Sequence, residues 1–176
     1  MDFSAPAGRS TLAILVNNKS GVLMRVVGLF SRRGYNIHSL SVGETEKPEV
    51  SRITIVVSVD DERVISQIRR QVEKLVDVRR VYSLTSADSL QKELVLVKIR
   101  ADEESRTHLV ELAEIFKAKI IDVTKTTMTL QLTGDFDKLE AFMSLVEDYG
   151  IVELARTGIT ALERGSRALS EIDYEN

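Results

Sequence analysis

The first half of the chain alternates between two hydrophobic patterns. Residues 11–16 form a short, continuous apolar run that ends at the turn-forming pair Asn17-Asn18, which is typical of a buried strand. After Ser20, a residue that favours helix N-caps, apolar side chains recur at helical spacing until Gly34, where a left-handed glycine can end a helix. The members of this stripe are Val22, Leu23, Val26, Val27 and Phe30.

Two further strands, a second helix and a fourth strand follow. Residues 36–45 show a loose strand pattern, residues 51–59 alternate between apolar and polar positions, and residues 46–49 join them as a hairpin loop. Asp61 can cap the second helix, and residues 78–84 return as a strand. The predicted order of elements is therefore βαββαβ.

The same order recurs in the second half of the chain. A strand at residues 94–99 precedes a helix, a tight hairpin spans residues 120–124 and 128–132, and Asp135 begins a helix that leads to a strand at residues 151–157. Because short hairpins make neighbouring strands antiparallel, each unit is predicted to be a four-stranded antiparallel sheet with two helices on one face. The fold class is thus α+β, with two tandem ferredoxin-like βαββαβ domains.

The residue composition of the connecting segments predicts the domain boundaries. The polar, small-residue segment around Ala87 has the character of a linker, and the residues after the last strand are charged and weakly patterned, so we expect them to fray. Each sheet would keep one partly apolar open face and free edge strands, which predicts pairing with a second copy. The predicted divisions are an N-terminal extension at 1–10, a first domain at 11–85, a second domain at 90–160 and a C-terminal tail at 161–176.

Charge and motif content narrow the class of function. The formal net charge of −3 is spread without long like-charge runs, and the chain has no cysteine, which is ordinary for a cytoplasmic protein. No apolar run approaches the ~20 residues of a membrane span. The strands at residues 11–16 and 51–59 lack the aromatic side chains on which an RNA-binding module of this topology stacks bases. We expect neither nucleic acid nor membrane as a partner.

Catalytic signatures are missing from the sequence. It contains no nucleotide-binding glycine motif, no His-Glu-x-x-His and no Gly-x-Ser-x-Gly. The two histidines, His38 and His108, fall in different predicted domains, so we expect no metal site and no catalytic residues.

The turn at residues 17–23 is the most informative local feature. Backbone N–H groups around Gly21 could hold a carboxylate at the positive end of the helix, and an Asn carbonyl oxygen could accept from an ammonium group. The turn would then bind a free amino acid. The plainer alternative is that Asn18 and Ser20 only form a turn and a cap, and spacing alone favours it because caps far outnumber ligand sites.

A family resemblance favours a ligand site at this turn over a plain turn and cap. Residues 18–23 and 25–37 resemble the ACT domain of acetohydroxyacid synthase (acetolactate synthase) regulatory subunits. The similarity covers nearly the whole chain up to Gly165, leaving the first ten residues outside it. It continues through residues 51–55, 74–78, 96–99 and 114–123.

The resemblance implies a small, non-catalytic subunit that binds and activates a thiamine-diphosphate-dependent catalytic subunit and makes it sensitive to valine or related branched-chain amino acids. It implies no cofactor on this chain; thiamine diphosphate, Mg and FAD would belong to the catalytic subunit. A homodimer through the ACT domains would share each effector site, and a standalone amino-acid-binding module acting on another partner is the alternative. The implied effector residues are Asn18, Gly21, Val22 and Leu23 of one protomer with Asn36 and Ile37 of its partner.

Overall fold

The computed structural model describes residues 8–59, 61–166 and 168. They divide into two compact units. The first unit holds the described residues up to Gln91 together with those from Ile159 onwards, and the second unit holds residues 92–158. The division therefore falls a few residues beyond the boundary predicted near Ala87.

The first unit is built on an antiparallel sheet with the strand order β2-β3-β1-β4. Two helices cover one face of the sheet, and alternate strand residues such as Leu12 and Ile14 point into the core between them, where both are fully buried. The elements are β1 (Ser10–Asn17), α1 (Val22–Arg32), β2 (Ile37–Glu44), β3 (Val50–Val57), α2 (Glu62–Glu73) and β4 (Val78–Leu84).

The second unit repeats this arrangement with the strand order β6-β7-β5-β8. Its core includes Phe116 and Phe142, whose rings meet edge to face at 5.3 Å between centroids. The predicted α+β fold with two βαββαβ repeats is confirmed. The elements are β5 (Ser89–Arg100), α3 (Ser105–Phe116), β6 (Lys119–Val123), β7 (Thr127–Gly134), α4 (Phe136–Glu147) and β8 (Ile151–Arg156).

We expected the second face of the first sheet to be open, but residues 160–163 cover part of it. Residues Thr160–Glu163 form a ninth strand, β9, which pairs with β5. Ala161 of this strand is buried in a small cluster on the face away from the helices, and the Arg52 guanidinium donates to its carbonyl oxygen. The segment predicted as a tail from residue 161 therefore starts inside a strand. The cluster is formed by Ala13, Leu15, Val50, Leu84 and Ala161.

Two of the predicted helix caps are present. The Asp61 carboxylate accepts from the Arg63 N–H at 2.8 Å at the start of α2. The Asp135 carboxylate accepts from the Lys138 N–H at 3.1 Å at the start of α4. No helix in the described part of the chain is long and apolar enough to cross a membrane.

Candidate functional site

Asn18 fastens the turn after β1 to the loop between β2 and β3. Its backbone N–H donates to the Glu49 carbonyl at 2.8 Å, and its Nδ2 donates to the Pro48 carbonyl at 2.8 Å and to the Glu44 carboxylate at 3.0 Å. The Oδ1 of Asn18 accepts no hydrogen bond from any described residue. An exposed amide oxygen is thus held in place and remains available to a donor such as an ammonium group.

The N-cap of the helix that follows is Gly21 and not, as predicted, Ser20. Gly21 is the N-cap of α1 with a left-handed φ of 80° and ψ of −7°, and none of the described side chains caps this end. The prediction was wrong because a left-handed glycine supplies the turn by backbone conformation alone, which leaves the Ser20 side chain exposed.

The uncapped helix end presents free donors. Within the described residues, the backbone N–H groups of Ser20, Gly21, Leu23 and Met24 donate to no acceptor. Val22 differs, because its N–H donates to the Lys19 carbonyl at 3.3 Å. Unpaired N–H groups at a helix N-terminus carry a partial positive charge and suit an anionic group such as a carboxylate.

Arg25 adds a full positive charge at this end, which sequence reasoning missed. A Cβ built on Gly21 would stand 3.3 Å from its Nη1, so the guanidinium lies directly over the turn. Arg25 also pairs with the Asp77 carboxylate, and this hydrogen bond is the largest of the effects that lower the pKa of Asp77. The only sequence signal is that Arg25 follows Gly21 by four positions, one helical turn.

The apolar residues of the turn have different environments. Val22 is 3% exposed and packs in the core of the first unit, so only its backbone borders the turn. Leu23 is 38% exposed and Met24 is 75% exposed. An aliphatic ligand at the turn would therefore meet Leu23 and Met24.

Asn36 and Ile37 lie at the opposite end of the same sheet. Ile37 pairs with Val57 at the end of β3, whereas Asn17 pairs with Val50 at its start. Seven residue steps of a strand span about 23 Å. The six implied effector residues therefore form two groups in one chain, one at each end of the sheet, and a ligand the size of an amino acid cannot touch both.

The two histidines lie in different units. His38 lies in β2 of the first unit and His108 in α3 of the second. Among the residues that the structure describes, no group of three or more His, Cys, Asp or Glu side chains could hold a metal ion.

Comparison with known proteins extends over both units. Residues 12–80 match a family profile described as "AHAS small subunit-like ACT domain", and residues 92–165 match one described as "Small subunit of acetolactate synthase". The match to the second profile includes β9.

Individual relatives agree over most of the chain. A "Probable acetolactate synthase small subunit" of Archaeoglobus fulgidus is 48% identical over 90% of this chain and 99% of its own length. The "Acetolactate synthase isozyme 3 small subunit" of Salmonella typhimurium is 48% identical over 92% of this chain and 99% of its own. The crystal structure of an acetolactate synthase small subunit from Thermotoga maritima superposes with a TM-score of 0.84 at 39% identity, covering 92% of this chain and 100% of that one.

Proposed function

The chain belongs to the family of acetolactate synthase small subunits, and on that basis we propose that it activates a catalytic subunit and confers feedback inhibition by valine or a related branched-chain amino acid. The chain itself would carry out no chemistry. Its part is to bind the effector and to pass that binding on to the partner.

The observation that best supports this proposal is the combination of donors and acceptor at the turn after β1. The free N–H groups of Ser20, Gly21, Leu23 and Met24 and the Arg25 guanidinium can hold the carboxylate of an amino acid. The Asn18 Oδ1 can accept from its ammonium group. Leu23 and Met24 supply exposed aliphatic surface for a branched side chain.

The distance between the two groups of implied effector residues supports a site shared between two protomers. The turn and the pair Asn36 and Ile37 stand at opposite ends of the sheet, so the second group can complete a site only on another copy. A twofold-symmetric pair would bring each turn to the partner's Asn36 and Ile37 and would form two equivalent sites.

Feedback requires that the effector bind one state of the holoenzyme more tightly than the other. A coupling free energy of about 1–3 kcal/mol, equivalent to a 5- to 150-fold change in affinity, is ordinary for such a link. We propose that valine closes or reorients the paired first units and so withdraws contacts that hold the catalytic subunit in its active form.

Two measurements test the proposal together. Valine, leucine and isoleucine are titrated into the purified chain by calorimetry, and acetolactate formation is measured for the catalytic subunit alone, with the chain, and with the chain and effector. We expect the chain to raise the rate and valine to lower it again. Tight valine binding that leaves the holoenzyme rate unchanged at saturation would contradict the feedback role.

A further inference from the structure

A cavity of about 710 Å³ lies in the first unit, on the face of the sheet away from the helices. One wall is apolar and comes from Leu15, Val50 and Leu162. Its volume falls within the ~300–1,000 Å³ of small-molecule sites. This apolar wall, which includes Leu162 of β9, can accommodate the short apolar part of a ligand.

The rest of the lining is rich in positive charge. Four cationic side chains line the cavity against two carboxylates, those of Glu46 and Glu163. The cationic residues are Lys47, Arg52, Arg79 and Arg80.

Arg52 is partly buried beside β9. It donates to the Ala161 carbonyl, but its Nε is buried without an acceptor, and it forms no ion pair with any described residue. Burial lowers the pKa of Arg52 because removal from water disfavours the charged form. A desolvated guanidinium without a counter-ion is unfavourable, and an anion in the cavity would relieve that cost.

Arg79 connects the cavity to the effector turn. Its Nε donates to the Asn17 Oδ1 at 2.8 Å, and its two terminal nitrogens donate to nothing in the part of the chain that the structure describes. Those two nitrogens are the ones that could bind an anion while the Nε keeps its hold on Asn17.

The loop between β2 and β3 makes a second connection. Thr45 and Lys47 line the cavity, while Pro48 and Glu49 of the same loop, with Glu44 at the end of β2, accept the hydrogen bonds of Asn18. A ligand that draws this loop or Arg79 inward would therefore move groups that hold the effector turn, because the loop carries acceptors for Asn18 and Arg79 donates to Asn17.

We propose that this cavity is a second binding site, for a small organic anion with a carboxylate or phosphate head and a short apolar body, and that its occupancy changes the affinity of the effector turn. The coupling rests on the proposed function, whereas anion binding does not. Linkage is reciprocal, so the effector must change the affinity for the anion by the same factor.

The binding test uses the full chain and three probes in low-chloride buffer: butanoate, propyl phosphate and inorganic phosphate. Calorimetry should show butanoate or propyl phosphate binding more tightly than inorganic phosphate, which lacks the apolar body. Whichever of butanoate and propyl phosphate binds more tightly shows whether the natural ligand carries a carboxylate or a phosphate. Arg52→Gln and Arg79→Gln should each weaken binding about tenfold, as expected for the loss of a charge-assisted hydrogen bond.

Arg70→Gln is the matched control, because Arg70 is an exposed arginine of α2 in the same unit but on the helical layer. It should bind the probes as the wild type does. Thermal unfolding checks that the variants are folded, and the exposed position of Arg79 keeps the test usable if Arg52→Gln does not fold. Equal binding by the wild type and both cavity variants, or no binding of any probe, would overturn the site.

The coupling test titrates valine with and without the better probe. We expect the valine dissociation constant to shift at least fivefold in the wild type. At the same probe concentration the shift should be smaller in Arg52→Gln, which binds the probe about tenfold more weakly and does not touch the turn. An unchanged constant in the wild type overturns the coupling. The binding test is repeated on a chain shortened to end at Ala168. If the shortened chain binds the probe and the full chain does not, the acidic residues after Ala168, which include Glu171, Asp173 and Glu175, occupy the cavity of the full chain. That result would overturn the small-molecule site.

Discussion

Arg25 and Asp77 form an ion pair that joins the first turn of α1 to the segment entering β4, directly beside the proposed effector turn. The backbone carbonyl of Asp77 also accepts from the Asn17 N–H at 2.8 Å. Asp77 thus holds both the guanidinium that would meet an effector carboxylate and the end of the strand that carries the turn.

Replacement of Arg25 should therefore weaken effector binding without altering the fold. In Arg25→Gln, we expect the valine dissociation constant to rise about tenfold or more, because one charge-assisted hydrogen bond to the ligand carboxylate is lost. Calorimetry measures the change, with Arg70→Gln as the control for loss of one positive charge. Wild-type affinity in Arg25→Gln would exclude the guanidinium from the site.

Gly21→Asp should abolish valine binding while the chain remains folded. The new carboxylate would stand where the ligand's own belongs, and the left-handed φ of 80° adds backbone strain of about 1–2 kcal/mol. Gly150→Asp is the matched control, because Gly150 has a φ of 88° but lies in the second unit. Circular dichroism should show both variants folded, and calorimetric detection of wild-type affinity in Gly21→Asp would argue against the turn as the site.

A mixing experiment tests whether the site is shared between protomers. Asn18→Ala and Asn36→Ala should each remove effector binding when measured separately. In an equal mixture that has been dissociated and reassociated, half of the dimers are mixed and each has one intact site, so about one quarter of the sites should return. Calorimetric stoichiometry gives the fraction, and no recovery would contradict a shared site.

The βαββαβ order and the two-domain fold could be predicted from the sequence because each sheet buries one face against two helices, which gives strong hydrophobic periods. Gly21 was missed as the cap because the left-handed conformation leaves no pattern beyond the glycine itself. The pairing of Arg25 with Asp77 joins residues 52 positions apart, and no local rule connects them. Strand β9 was missed because four residues are too few for a recognisable period.

The exposure of the edge strand β6 could not be predicted from its composition. Ile120, Ile121 and Val123 suggest a buried strand, yet all five residues of β6 are exposed. A strand at the edge of a sheet has a neighbour on one side only, so hydrophobic composition does not guarantee cover.

Acid should destabilise the chain in a way that Asp135 makes measurable. Hydrogen bonds from the Lys138 N–H and then from Lys92 lower the pKa of Asp135 in the folded chain. The Asp135 carboxylate therefore contributes its full stabilisation above the ordinary aspartate pKa of about 4. That stabilisation is lost as the pH falls through the lower pKa of the folded state. In Asp135→Asn, which keeps a good N-cap, urea unfolding should show a smaller loss of stability between pH 5 and pH 2. An identical pH dependence in the wild type and the variant would contradict this assignment.

Glu93 should be the most sensitive charged residue of the second unit. It is 7% exposed and accepts from the Arg156 Nη2 at 2.7 Å, from the Arg156 Nε at 3.1 Å and from the Gly158 N–H at 3.1 Å. Glu93→Gln should lower the free energy of unfolding by about 2–3 kcal/mol, because buried hydrogen bonds to charged groups are lost. Urea denaturation measures this.

Glu153→Gln is the matched control for Glu93→Gln. Glu153 pairs with Lys98 at 3.3 Å on the same sheet, but its side chain is 73% exposed, so the change should cost less than about 1 kcal/mol. Equal losses in the two variants would show that burial of Glu93 does not set its contribution.

The return of β9 to the first unit makes the second unit an insertion rather than an appendage. A nascent chain must add roughly 70 more residues after Gln91 before Ala161 can cover Ala13 and Leu15, a delay of about 4–14 seconds at ordinary rates of synthesis. During that interval the first unit would leave the ribosome with an apolar sheet face exposed. A chain that stops at the linker would keep that face exposed permanently, and such a shortened first unit is therefore expected to self-associate.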